Sequence, residues 1–175
     1  LLSQNGKIIW KTMEKLKKMG ITDSIGFSIY DPEELSNLFN LFRPDIIQTP
    51  YNIFDQRIVL SGWFEKLHNN GVKIDVRSIF LQGLLLIEES KRPDKFKTWH
   101  QLWHRWDNWL DENSLSPLDA CINFVNNEKR INRVVIGIDS SEQLRSILNV
   151  KIKKKISYPN FILNDNKMIL NPSNW

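Results

Sequence analysis

Lys73-Ile74-Asp75-Val76-Arg77-Ser78-Ile79 is the stretch that decides the fold, because this run predicts a strand placed directly after a helical segment. The preceding helix is predicted over 57–70, and Gly71 ends it. Three more strands, separated from one another by helical patterns, are predicted at 24–29, 45–48 and 133–138. Strands joined through helices run parallel, so the sequence predicts an α/β protein with a parallel sheet.

The other predicted helices show the usual start signals and apolar faces. The first covers 8–19, and its buried face is predicted to consist of Ile9, Met13 and Leu16. Asp31 and Pro32 open the second helix, as N-cap and first helical residue. Two further helices are predicted at 116–127 and 141–149.

The composition is that of one ordinary globular domain, 1–175, with an insertion at about 83–115 and a tail at about 150–175. Apolar residues make up 41% and the net charge is only +4, which excludes a disordered chain. The single cysteine, Cys121, excludes a disulfide framework and indicates a reducing compartment, so a cytoplasmic location is expected. No apolar run approaches the ~20 residues of a membrane span, so no membrane association is expected.

Two architectures fit four helix-separated strands, a doubly wound sheet and part of a (β/α)8 TIM barrel. The first is disfavoured because neither GxGxxG nor GxxxxGK occurs in the chain. A complete barrel needs roughly 250 residues, so four strands would form about half of one. Half a barrel leaves open strand edges, and the chain begins at Leu1 rather than Met. We therefore expect a partial barrel from a truncated sequence.

Ligands of βα folds meet the loops after the strands, and those loops are rich in hydroxyl and amide groups here. Ser28 and Tyr30 lie at the end of the first strand, 48–52 at the end of the second, and 77–83 and 137–141 at the ends of the others. These segments contain no His, no Lys and no paired carboxylates. Such a rim can hold a polar, phosphate-bearing ligand but offers no evident general acid or base.

Four segments, in this order, resemble the fifth to eighth strands of the aldo-keto reductase barrel: Gly26-Phe27-Ser28-Ile29-Tyr30, Ile47-Gln48-Thr49-Pro50-Tyr51-Asn52, Val76-Arg77-Ser78-Ile79-Phe80-Leu81-Gln82-Gly83, and Val135-Ile136-Gly137-Ile138 with Glu142-Gln143-Leu144. The resemblance covers about residues 8–150. It implies an NAD(P)H-dependent oxidoreductase that reduces a small-molecule carbonyl substrate by hydride transfer. The oligomeric state is left open.

The resemblance also implies roles for residues on the rim. Ser28 and Gln48 correspond to residues that bind the nicotinamide carboxamide, and Arg77 stands where many members place an aromatic ring. Ser78 and Phe80 would line the pyrophosphate path. The adenosine end would meet the segment 137–143, which includes Gly137, Ser140, Ser141 and Gln143, with phosphate near the helix N-terminus.

The resemblance leaves two matters open. Gly137 and Gln143 stand where NADPH-preferring members often have Lys and Arg, so the choice between NADH and NADPH is undecided. The family's acid/base set of Asp, Tyr, Lys and His lies on the first four strands, which precede the matching region. No catalytic residue is therefore assigned in this chain.

Several features have a plainer structural interpretation beside the functional one. Ser140 and Ser141 are good N-caps whatever they bind. The tryptophan stripe of 99–110 is predicted to be core, with His100 and His104 on its polar face and no metal site expected. The run 151–155 is expected to be solvated, and no nucleic-acid partner is expected. The alternative to a reductase is a non-catalytic nucleotide-sensing or protein-interaction module on the same barrel.

Overall fold

The computed structural model describes residues 1, 3–153, 156–161, 163 and 166–175. Four strands form one sheet in chain order, and every neighbouring pair is parallel. They are β1 (Gly26–Ser28), β2 (Ile46–Pro50), β3 (Lys73–Arg77) and β4 (Arg133–Val134). The predicted α/β class with a parallel sheet is confirmed.

Helices precede and follow the strands. They are α1 (Gly6–Lys18), α2 (Glu33–Leu41), α3 (Arg57–Leu60), α4 (Trp63–Asn69), α5 (His100–Glu112), α6 (Pro117–Asn127), α7 (Ser141–Leu148) and α8 (Lys167–Leu170). Short 3₁₀ turns lie at Leu84–Leu86, Glu89–Lys91, Asp94–Trp99 and Pro172–Asn174. The single helix predicted over 57–70 is wrong: Gly62 adopts φ +75°, which breaks it into α3 and α4.

The two faces of the sheet differ in chemistry. Ile47, Ile74 and Val76 point to one side and are buried against helices, in the first core. This core also takes Trp10 from α1, Leu35, Leu38 and Phe39 from α2, and Phe64 and Leu67 from α4. The opposite face, here called the polar face, carries Ser28, Gln48, Lys73, Asp75, Arg77 and Arg133. The helices therefore cover only one side of the sheet.

Close approach of β1 to β2 depends on Gly26. A Cβ at this position would lie 1.7 Å from the backbone oxygen of Ile46, its register partner. Only glycine therefore permits this pairing without a backbone shift.

A second core joins the insertion to the C-terminal tail. Trp103, Trp106 and Trp109 of α5 are buried in it with Phe54 and Phe161. Trp109 donates from Nε1 to the Ser157 carbonyl at 3.2 Å, which ties the tail to α5. The core interpretation of the tryptophan stripe holds, although Trp99 is only half-buried.

Two details of the predicted elements are wrong. In α1, Trp10 and Met13 face the first core, whereas Ile9 is 47% exposed and Leu16 is also exposed. The strand predicted at 133–138 ends at Val134, because β3 ends at Arg77 and Ser78 turns away with φ +57°. The Val135 N–H makes the last ladder bond, to Val76 O at 2.7 Å.

The β4 edge of the sheet is thinly covered within the described part of the chain. No residue of α7 is buried. Apolar side chains are exposed along this edge, at Val134, Val135, Ile138, Leu144 and Leu148. Among the residues described, no helix has the length and apolar character required to cross a bilayer.

Candidate functional site

Three of the sequence-predicted site residues form one hydrogen-bonded row, in which Ser28 ends β1, Arg77 ends β3 and Gln48 is the middle residue of β2. Ser28 Oγ donates to Gln48 Oε1 at 3.2 Å, and Arg77 Nε donates to Ser28 Oγ at 3.4 Å. Ser28 and Gln48 are register partners, so they lie side by side on the polar face. The sheet therefore brings together residues far apart in the sequence.

Contacts on several sides fix the orientation of the Arg77 guanidinium. Its carbon lies 4.5 Å from the centroid of the Tyr30 ring, within the range of a cation–π contact. Nη2 donates to the Ile29 carbonyl at 3.1 Å, and Nη1 donates to Ser78 Oγ at 3.2 Å. The planar group therefore has a defined position, which a lysine ammonium would not reproduce.

The loop after β3 has an uncommon backbone. Ser78, Leu81 and Gln82 adopt φ values of +57°, +48° and +55°, and Gly83 follows at +85°. Residues with side chains rarely occupy this left-handed region, and such conformations cluster at ligand-binding sites. The loop is thus shaped at a conformational cost by the packing around it.

Hydrogen bonds from the buried Asn52 side chain help to hold this loop in place. Asn52 is 1% exposed, and its Nδ2 donates to the Ser78 carbonyl at 3.0 Å. Its Oδ1 accepts from the N–H groups of Phe54 at 2.9 Å and Asp55 at 2.8 Å. Asn52 therefore braces the loop after β2 against the loop after β3.

A buried ion pair braces the loop after β1 in the same way. Asp55 is 2% exposed and receives Arg57 Nε and Nη2, both at 2.8 Å. Arg57 also donates to Asp31 at 3.1 Å and to the Tyr30 carbonyl at 3.2 Å. The hydrogen bond to Asp55 raises the pKa of Arg57, and the Asp55 and Asp31 charges add to this against the effect of burial.

Beside the row lies a cleft of about 800 Å³, with the loop after β3 on one side and the segment after β4 together with α7 on the other. Five predicted site residues line it: Arg77, Ser78, Phe80, Gly137 and Gln143. Ser28 and Gln48 do not line the cleft but are connected to it by the hydrogen bond between Arg77 and Ser28. Ser140 and Ser141 are not among the lining residues. The row of Ser28, Gln48 and Arg77 shares Arg77 with the cleft, so the two form one continuous surface.

The serines at the start of α7 have structural roles in this arrangement. Ser140 is the N-cap, and its Oγ accepts from the Gln143 N–H at 3.1 Å. Gln143 Oε1 accepts in turn from the Asp139 N–H at 2.8 Å. Ser141 Oγ donates to Glu142 Oε1 at 3.0 Å.

The segments predicted at the strand ends also supply Gln82, Asp139 and Glu142 to the cleft lining. Sequence reasoning missed Ser146 of α7 and Ser116–Leu118, which supply the start of α6. The Ser116 position carried no functional signal, because its cap geometry (Asp119 N–H to Ser116 Oγ, 3.0 Å) is ordinary.

The chemistry of the cleft is that of binding. Its titratable side chains are the Arg77 guanidinium and the carboxylates of Asp139 and Glu142. Within the described ranges, neither His nor Lys lines it, and no group of three or more His, Cys, Asp or Glu side chains is arranged to hold a metal ion. Hydroxyl, amide and guanidinium donors suit a polar ligand that carries phosphate.

The other features singled out in the sequence lie away from the cleft. His104 Nε2 is 3.1 Å from Asn108 Nδ2 on the exposed side of α5. Cys121 is buried, and burial raises the pKa of its thiol. Of the basic run 151–155, 151–153 is exposed, and Lys154 and Lys155 lie outside the described residues.

Comparison with solved structures shows the same fold in the holo form of the aldo-keto reductase AKR11C1 from Bacillus halodurans. The TM-score is 0.63 at 16% sequence identity, and the match covers 87% of this chain and 52% of that one. The chain therefore has the fold of part of a (β/α)8 barrel and spans about half the length of that structure. No curated protein sequence matches it.

The family-level comparison covers most of the chain. The model of the aldo/keto reductase family matches residues 7–157, which include all four strands and the entire cleft lining. On this evidence the chain belongs to the aldo/keto reductase family.

Proposed function

We propose that this chain forms the dinucleotide-binding half of an NAD(P)H-dependent oxidoreductase that reduces a small-molecule carbonyl compound. The observation that carries the proposal is the continuity of the Ser28–Gln48–Arg77 row with the 800 Å³ cleft. Together they offer an extended surface at the strand ends, where βα folds bind ligands.

The donors on this surface fit a nicotinamide dinucleotide. The Ser28 hydroxyl and the Gln48 amide match the hydrogen-bonding groups of a carboxamide. Arg77 and Ser78 offer a guanidinium and a hydroxyl toward pyrophosphate. At Gly137 no atom lies within 4 Å of where a Cβ would stand, so the cleft is open there. A bound NAD(P)H would supply the hydride, and these residues would hold and orient it.

The proton donor of the reaction is proposed to lie outside this chain, on four further strands that close the barrel. Both β1 and β4 are sheet edges in the part of the chain that is described. Exposed apolar residues on β4 and α7 suit cover by another βα unit. The DNA that precedes the codon for Leu1 should encode four more βα units with the family's Asp, Tyr, Lys and His. A stop codon or an unrelated domain there contradicts the proposal.

Dinucleotide binding is the direct test. Isothermal titration of the chain with NADH and NADPH should detect binding, and the Ser28→Ala/Gln48→Ala variant should weaken it roughly tenfold through loss of two hydrogen-bonding groups. The Ser36→Ala/Gln101→Ala variant is the matched control, because both residues are exposed on α2 and α5. Failure of both dinucleotides to bind would refute the proposed function.

A non-catalytic nucleotide-sensing or interaction module is the second candidate. Arg77 favours it. Arg77 stands where many members have an aromatic ring, and its guanidinium packs on Tyr30. Tight dinucleotide binding by the complete protein without turnover on a broad aldehyde panel would support this role over reduction. The cytoplasmic location also stays a proposal, supported by the free thiol of Cys121.

A further inference from the structure

We propose that Asp139 and Glu142 make this cleft select NAD(H) against NADP(H). The inference rests on the proposed function, because it concerns the far end of the same cleft. It assigns the cofactor preference to two carboxylates on the α7 side.

The charges that line the cleft are divided between its two sides. Arg77 belongs to the β3 side, whereas Asp139 and Glu142 belong to the α7 side. Arg145 lies on α7 but is not a lining residue, and no other Lys or Arg lines the cleft in the described part of the chain. A ligand group at the α7 end therefore meets negative charge without a compensating cation.

Three backbone N–H groups at the start of α7 already donate to acceptors within the chain. A helix N-terminus binds phosphate through such groups. Here the Asp139 N–H donates to Gln143 Oε1 at 2.8 Å, and the Gln143 N–H donates to Ser140 Oγ at 3.1 Å. The Glu142 carboxylate accepts from its own N–H and from Ser141 Oγ, and these hydrogen bonds lower the pKa of Glu142. The N–H groups of Asp139, Glu142 and Gln143 are thus satisfied by the chain itself, and a phosphate would have to displace these hydrogen bonds.

NAD(H) and NADP(H) differ only at the 2′ position of the adenosine ribose, which the proposed function puts at the α7 end of the cleft. NAD(H) presents a ribose 2′-hydroxyl, which donates a hydrogen bond to a carboxylate. NADP(H) presents a 2′-phosphate, which brings negative charge to two carboxylates and finds no guanidinium or ammonium there. Selection therefore works both by attraction of one ligand and by repulsion of the other.

The test is equilibrium binding of NADH and NADPH to the full 175-residue chain, followed by tryptophan fluorescence quenching at low salt. NADH should bind roughly tenfold more tightly than NADPH, and added salt should narrow the difference by screening. The nearly isosteric Asp139→Asn/Glu142→Gln variant should bind NADPH more tightly, so most of the difference in affinity between NADH and NADPH should disappear. The control variant Asp111→Asn/Glu112→Gln, at exposed positions of α5, changes the net charge by the same amount. It should retain the difference in affinity between NADH and NADPH.

The outcomes separate this inference from the proposal beneath it. Equal binding of the two dinucleotides, or tighter binding of NADPH, overturns the inference and leaves the proposed function in place. A difference that survives in Asp139→Asn/Glu142→Gln also overturns it, because the carboxylates would then not be its cause. Binding of neither dinucleotide overturns the proposed function together with the inference.

Discussion

The guanidinium of Arg77, at the end of β3, lies 4.5 Å from the ring centroid of Tyr30, which follows β1. These two strands are not neighbours, since β2 lies between them. Because adjacent strands are about 4.8 Å apart, the Arg77 side chain extends across the width of β2 to reach β1. The strand ends are therefore joined by side chains on the polar face as well as by the ladder.

Replacement of Arg77 tests this connection. Arg77→Lys keeps the charge but loses the planar donors to Ser28 and Ile29, so we expect dinucleotide affinity to fall roughly tenfold. The chain should lose only about 1 kcal/mol of unfolding free energy, because the contact with Tyr30 is partly exposed. Titration calorimetry and urea unfolding measure the two effects. Arg43→Lys is the control, since Arg43 lies 5.7 Å from the Phe39 ring and outside the cleft.

Asn52 should matter more for stability than for binding chemistry. Asn52→Ala leaves the buried N–H groups of Phe54 and Asp55 without their acceptor, whereas the Ser78 carbonyl keeps the Leu81 N–H at 2.9 Å. We expect a loss of about 3 kcal/mol in urea unfolding, since each unsatisfied buried group costs about 1–3 kcal/mol. Asn69→Ala, on the exposed side of α4, should change stability by less than about 0.5 kcal/mol. Equal losses in the two variants would contradict the bracing role.

Gly26 should tolerate no side chain. Gly26→Ala places a Cβ 1.7 Å from Ile46 O, so β1 must move away from β2. We expect destabilisation of at least about 2 kcal/mol, from strain and lost ladder bonds. Gly137→Ala is the matched substitution, because nothing lies within 4 Å of its Cβ, and thermal unfolding should hardly change. An unchanged melting temperature for Gly26→Ala would show that the strands are not this close.

Acid should destabilise the chain partly through Asp45. Burial alone would raise the pKa of Asp45, but hydrogen bonds from Lys17 Nζ at 2.6 Å and the Ile25 N–H at 2.9 Å outweigh it and lower the pKa below 3.8. The ionised carboxylate thus stabilises the folded state above pH 3.8, and this contribution disappears as the pH falls through the lowered pKa.

The unfolding free energy measured from pH 6 to about pH 2 should therefore fall less steeply in Asp45→Asn. The slope should not vanish, because Asp31 and Glu128 also have lowered pKa values. Asp111→Asn, at an exposed position of α5, is the matched control for removal of one carboxylate. An Asp45→Asn profile parallel to that of the unsubstituted chain would refute the assignment.

The order of strands and helices could be predicted from the sequence because it depends on local patterns. The alternation of polar and apolar residues over 73–77 and the cap signal at Ser116 specify their elements through neighbouring residues alone. The tryptophan spacing of α5 indicated its buried face for the same reason. The rim residues Ser28, Gln48 and Arg77 followed from the rule that strand ends converge and from the family resemblance.

Other features depend on contacts between distant segments, which no local pattern encodes. The exposure of Ile9 depends on which side of α1 meets the sheet, and the end of β4 depends on where β3 stops. Asp139 and Glu142 line the same cleft as Arg77 only because α7 lies across from the loop after β3. The sequence by itself determined the α/β class, the parallel strand order and the strand-end polar residues, since hydrophobic period and turn chemistry act over a few residues. Tertiary structure alone decided the cleft, its division of charge and the strained loop braced by Asn52, because these arise where separate βα units pack together.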